Sequence, residues 1–313
     1  MSRLLGLCWL VVFGLPYGFA ADDEIVLKDH TDSVDAVAFS PDGKLLVTGS
    51  SDDTARIWEV EGFKCLVTLK GHDDSILGVA FSPDSKLVAT ASADDTARVW
   101  DLKGKLLQTL KGHTDSVNAV VFSPDGKLLA TGSDDETIRL WEVESGKLVA
   151  TLKGHSDAVN GLAFSPDGAI LASASSDDTV RLWEVAKNKE SAVLKGHSDA
   201  VNAVAFSKDG KRLASASTDS KIKLWDVEKA KETESIEGHH GSVNCVKFLM
   251  DDKHIVSAGN DKAIHIWDLT GKEITTLEGH KDWVNEIAVH PKDGRIASGS
   301  DDNTVRVWKK PKE

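Results

Sequence analysis

From residue 24 onward the chain is written in short apolar runs separated by polar turns. Ser116 to Phe122 (SVNAVVF) alternates with the period of a strand, Ser123-Pro-Asp-Gly126 supplies turn chemistry, and Lys127 to Ser133 (KLLATGS) reads as the next strand. Asp134-Asp135-Glu136 turns the chain into Thr137 to Val143 (TIRLWEV). After Glu144-Ser-Gly146 the run Lys147 to Leu152 makes a fourth strand. Helical spacing is absent throughout. The pattern predicts an all-β chain built from four-stranded antiparallel sheets.

The same unit recurs. Gly-His opens a copy at 71-72, 112-113, 154-155, 196-197, 238-239 and 279-280, with Asp29-His30 as a seventh, a period of 41 or 42 residues. Each copy ends in a Trp (Trp58, Trp100, Trp141, Trp183, Trp225, Trp267, Trp308), always 28 residues after its own His. A sheet with two apolar faces cannot remain soluble alone, so the copies must stack, and antiparallel blades of this kind close into a ring.

The period, the Gly-His start and the Trp-Asp end resemble the WD-repeat β-propeller family. The Trp-Asp pair is intact at Trp100-Asp101, Trp225-Asp226 and Trp267-Asp268 and is Trp-Glu after Trp58, Trp141 and Trp183. The resemblance covers residues 24 to 308 and implies a seven-bladed propeller of four-stranded antiparallel blades. The last copy stops near Trp308 without a fourth strand, while Glu24 to Lys28 (EIVLK) is a strand ahead of the first His. The resemblance therefore implies that the N-terminal strand completes the last blade and leaves few exposed edges.

Composition changes the picture at three points. Residues 1–20 carry Arg3 as their sole charge, an apolar stretch from Leu4 to Phe19 and a small-x-small site at Gly18-Phe19-Ala20. They read as a secretory signal cleaved after Ala20, leaving 21–313 as the propeller and placing it in the secreted or periplasmic space. The stretch falls short of the roughly 20 residues of a spanning helix, so no stable membrane insertion is expected after cleavage. A net charge of −13 argues against duplex DNA, nucleic acid generally and anionic membranes as partners. The three cysteines, Cys8, Cys65 and Cys245, fit neither a zinc spacing nor a disulfide framework.

Candidate chemistry is repeated too. Ten residues before each Trp stands Thr48, Thr90, Thr131, Ser173, Ser215, Ser257 or Ser298; six before stands Asp52, Asp94, Asp135, Asp177, Asp219, Asp261 or Asp302. The resemblance implies that these join His30, His72, His113, His155, His197, His239 and His280 and the Trp in a structural network within each blade. A Ser, His and Asp also suggest a catalytic triad, but a catalytic centre is built once and needs an exposed nucleophile, whereas seven copies mean architecture. His240, His254, His265 and His290 share no metal-ligand spacing and are assigned to surface or turn positions. Doubled acids such as Asp52-Asp53, Asp134-Asp135 and Asp301-Asp302 lack the spacing of a calcium loop; one acid of each pair is structural and the other is taken as solvated. With the phosphate loop, the Gly-x-Ser-x-Gly elbow and the His-Glu-x-x-His pair absent, no catalytic residue, cofactor or metal is assigned. The acidic turns share one end of the ring, and Lys44, Lys86, Lys127 and Lys211 share the other, which predicts a molecule polar in charge from face to face.

By resemblance, partners meet the face of the Gly-His entry loops, beside the first Val of each repeat. The residues after that position are Asp35, Leu77, Asn118, Asn160, Asn202, Asn244 and Asn285; those before it are Ser33, Ser75, Ser116, Ala158, Ala200, Ser242 and Trp283. The Asn-rich ring suits either a polar peptide or a hydrated rim. Trp283 breaks a Ser/Ala series, which makes it a candidate anchor or a cover for a neighbouring loop. The expected function is a non-catalytic protein-binding scaffold acting outside the cytoplasm, monomeric by itself, with a protein or peptide partner. Two alternatives remain: a propeller that binds or processes a small ligand at its central channel, or the sensor domain of a larger signalling system. The channel alternative needs charged groups near the axis, where Ala36-Val37-Ala38 and Ala203-Val204-Ala205 read as small and apolar.

Overall fold

In a computed structural model, which describes residues 24–309, 28 strands form seven four-stranded antiparallel sheets around a central channel. The third blade has strands Val117–Phe122, Leu128–Ser133, Thr137–Glu142 and Leu148–Lys153, each within a residue of the bounds read from the alternation. A single turn of 3-10 helix, Val185–Lys187, is the only helical element among the described residues, and none is long and apolar enough to cross a membrane.

The ring closes as the resemblance implies. Strand Glu24–Leu27 pairs antiparallel with Val305–Trp308, so the last sheet combines both ends of the chain. Arg306 and Glu24 add an ion pair across that seam. Residues 1–23, including the segment read as a signal, lie outside the described residues.

Seven apolar clusters hold the ring, one at each blade junction. Between blades seven and one, Leu46 and Trp58 pack on Ala297, Val305 and Val307 of the preceding sheet. Burying a side chain of this size contributes about 1.5–3 kcal/mol, and the repeat supplies such groups on both faces of every sheet. The seven repeat tryptophans are only 2 to 6% exposed.

The innermost strand of every blade carries a β-bulge immediately after its first residue, as between Val117 and Ala119. The bulged residue stands outside the regular ladder and its side chain is re-aimed. In sequence order these residues are Asp35, Leu77, Asn118, Asn160, Asn202, Asn244 and Asn285, and they line the channel.

His290 closes its turn, its carbonyl accepting from the Gly294 N–H at 3.2 Å, but it is buried, which corrects the surface part of its assignment. Its Nε2 donates to the Gly43 carbonyl of the first blade at 2.9 Å, and its ring meets Phe39 edge-on at 5.0 Å. Gly43 has φ +71°, and a Cβ there would lie 2.8 Å from His290 Nε2, so glycine serves both the turn and the close approach.

Candidate functional site

In each blade the network is built from four elements. The His Nδ1 lies 2.7 to 2.9 Å from its Asp, its Nε2 lies 2.7 to 2.8 Å from the strand hydroxyl, and the Trp Nε1 donates to that hydroxyl at 2.8 to 3.0 Å. The Asp carboxylate also accepts from the backbone N–H after the His, as Asp52 does from Thr31 at 3.1 Å. Burial depresses the His30, His72, His113, His155, His197 and His239 pKa values below the ordinary range, overcoming the neighbouring carboxylates. Burial works to raise Asp52, but bonds from Thr54 and His30 outweigh it and hold the carboxyl low. A neutral imidazole thus donates to a charged carboxylate. Each hydroxyl oxygen is fully buried and already accepts from an indole, so no nucleophile is presented.

The five bulge asparagines each bridge two blades. Asn160 Nδ2 donates to Ser176 Oγ at 3.0 Å and to the Val201 carbonyl of the next blade at 3.0 Å. Asn202 does the same toward Val243 and Asn244 toward Val284. Asn118 reaches Val159 and Asn285 reaches Val34, each at 3.3 Å. Their second partners are the residues just before the network Asp: Asp134 Oδ1 accepts from Asn118, and Asp301 Oδ1 from Asn285 at 2.7 Å. Both acids of those two doubled pairs are therefore engaged, which corrects the reading of one as merely solvated.

Asp35 and Leu77 offer no amide donor at the equivalent positions. Asp35 accepts from Ser51 Oγ at 2.7 Å. Burial, assisted by the charges of Asp301 and Asp32 and opposed by the Ser51 hydroxyl, pushes its pKa up to about 6.

The channel encloses about 580 Å³. It is less apolar than the strands at 36–38 and 203–205 suggest, because blades six and seven direct Lys247 and Glu286 into it, paired at 3.1 Å. Cys245 contacts the same carboxylate, and burial together with Glu286 pushes its thiol up, leaving it protonated and unreactive. Lys247 and Glu286 stand at positions filled in the other blades by Ala, Gly, Val or Cys, so the small apolar strands at 36–38 and 203–205 do not represent blades six and seven.

Trp283 projects from the entry loop of blade seven and is 47% exposed. The other large exposed hydrophobic groups among the described residues lie on outermost strands, such as Leu66, Val149 and Ile274, or, for Met250, in a first hairpin. Lys86 and Lys127, expected to make the opposite end basic, are each paired with an acid of their own turn, Asp84 at 3.2 Å and Asp125 at 3.5 Å.

Comparison with known proteins bears on these observations. The family described as WD domain, G-beta repeat, matches residues 23–59, 63–101 and 104–142, and the family described as WDR3 first beta-propeller domain matches residues 141–310. A ribosome biogenesis protein BOP1 homolog from Aedes aegypti is 42% identical over 50 residues, which are 16% of this chain and 6% of that protein. Proteins of the same name from Culex quinquefasciatus and Drosophila persimilis are 40% identical over 50 residues, with the same coverage. The similarity spans a small part of these relatives' length. Their name overturns the expected placement in the secreted or periplasmic space: it refers to ribosome biogenesis, and ribosomes are assembled inside the cell.

Proposed function

Because the chain belongs to the WD-repeat β-propeller family, we propose that it is a non-catalytic scaffold that binds a protein or peptide on its entry-loop face, with Trp283 as the anchor. One observation carries the reading: a half-exposed indole stands on that face, while every repeat Trp is buried. Exposing a ring of this size to water is unfavourable, and covering it with a partner concentrates binding energy at one point. The surrounding rim of Ser, Asn and Asp supplies polar groups that orient a peptide backbone.

A scaffold is favoured over a channel enzyme because, of the three charged residues lining the channel, Lys247 and Glu286 neutralise one another and Asp35 is held by the Ser51 hydroxyl, while the thiol beside Glu286 is kept protonated. The relatives are named for ribosome biogenesis; the part of that setting carried over here is membership of a multi-protein assembly. The chain's acidity favours protein contacts within it.

Affinity capture from a cell extract with the full chain and its Trp283→Ala variant tests the reading. At least one protein retained by the wild type is expected to fall about 30-fold with the variant, the effect of losing about 2 kcal/mol at an anchor, while the melting temperature stays the same. Equal retention by both proteins removes Trp283 from the interface.

A further inference from the structure

Two residues before the repeat Trp, six blades carry a long cation: Arg56, Arg98, Arg139, Arg181, Lys223 and Arg306. Blade six carries His265. Its ring stacks on Trp267, with centroids 5.4 Å apart at 23°, and lies edge-on to His239 at 4.4 Å. Its Nδ1 is 2.7 Å from Glu273 Oε1. Its Nε2 points toward Asp261 Oδ2 at 3.4 Å and is buried without a hydrogen-bond partner.

The carboxylate facing that nitrogen is also less occupied than its counterparts in five of the other six blades, blade five having only the Lys221 backbone N–H on Asp219 Oδ1 at 3.0 Å. In five blades a Thr hydroxyl donates to the second oxygen of the network Asp, as Thr96 does to Asp94 Oδ1 at 2.6 Å. In blade six Ala263 stands in place of that Thr, and only its backbone N–H remains, 3.4 Å from Asp261 Oδ1.

We propose that blade six binds a divalent transition-metal ion of the zinc class through His239 Nδ1, the Asp261 carboxylate and His265 Nε2. These ligand atoms all lie within 4.8 Å of one another. In a tetrahedral site with bonds of about 2.0–2.2 Å, neighbouring ligand atoms stand about 3.3 Å apart. His265 Nε2 and Asp261 Oδ2 already have that separation. His239 Nδ1 and Asp261 Oδ2, at 2.7 Å, must open by about half an ångström as the ion replaces the hydrogen between them. Two imidazoles and one carboxylate suit zinc and its neighbours and leave a position for water. Asp261 and His265 side chains retain 10 and 12% exposure, which gives the ion a way in.

The proton balance is closed by the surroundings. His239 stays neutral by carrying its hydrogen on Nε2, where Ser257 Oγ accepts it, while Nδ1 binds the ion. His265 keeps its Nδ1–H on Glu273 and releases to solvent any proton held at Nε2. Glu273 then orients a ligating imidazole from behind, an arrangement common around protein-bound metals.

Calorimetric titration of the full chain with Zn²⁺, and the visible absorption of Co²⁺ added in its place, test the site. The wild type is expected to bind a single ion saturably and to develop the bands of tetrahedral cobalt. His265→Arg, which restores the cation of the other blades, and His265→Gln are both expected to lose that binding with little change in melting temperature. Glu273→Gln is expected to weaken it about 10- to 100-fold. Absence of saturable binding by the wild type, or undiminished binding by both folded His265 variants, overturns the proposal.

Discussion

Five blade junctions differ from the two that flank blade two. From blade three to blade seven, and from seven back to one, an asparagine at the bulge donates to a backbone carbonyl of the next blade. Blades one and two instead carry Asp35 and Leu77. The backbone bulge is present in all seven blades, so the difference lies in the side chain alone. Apolar packing docks every blade. The amide adds a directional bond across the channel mouth, which an ionised carboxylate or an isobutyl group cannot donate.

Removing a stitch from the five-junction arc is expected to have the largest effect. Asn202→Ala frees the Val243 carbonyl and the Thr218 hydroxyl it had joined, and a loss of about 1–3 kcal/mol is expected in chemical denaturation. A loss indistinguishable from zero means that apolar packing alone sets the junctions.

Asp35→Asn approaches the same comparison from the other side and carries a sign that depends on pH. The folded value of about 6 lies above that of an unfolded Asp, about 3.9. Between those values the folded chain holds a proton that the unfolded chain has lost, so Asp35 reduces stability as pH rises from about 4 through 6. The variant is expected to be more stable than wild type by about 1–2 kcal/mol at pH 8, with the difference shrinking toward pH 4. A pH-independent difference would sink the electrostatic part of the account.

Leu77→Asn completes the series, with an expected gain of about 0.5–1 kcal/mol if the amide reaches the carbonyl of Val117 as its counterparts reach theirs. Hydrogen exchange offers a further reading of wild type and variant: amides around blade two should open at lower free energy than those of blade four, and the gap should narrow in Leu77→Asn.

Much of the fold was legible because the repeat fixes it seven times over. The interval from His to Trp sets which strands pair, and the blade bounds follow from alternation to within a residue. The candidate site was only partly legible. The positions after the first Val could be found by counting, but no local pattern shows that a bulge turns Asn160 toward the Val201 carbonyl. His290 was legible as a turn residue but its burial was not, because that comes from Phe39 and Gly43, about 250 residues away in sequence. Lys247 and Glu286 stand in different repeats and meet only when adjacent blades converge on the axis.

The sequence by itself determined the class of fold and the number of blades, because both depend on spacing within and between repeats, and the family resemblance it carries implied the closing strand and the seven buried networks. Tertiary structure alone decided what the departures from the repeat do. Asp35 has a raised pKa because it is buried and ring closure brings Asp301 beside it, and His265 faces two carboxylates because the strands of its own blade fold Asp261 and Glu273 against it, so a side chain's chemistry is set by such neighbours as much as by its identity.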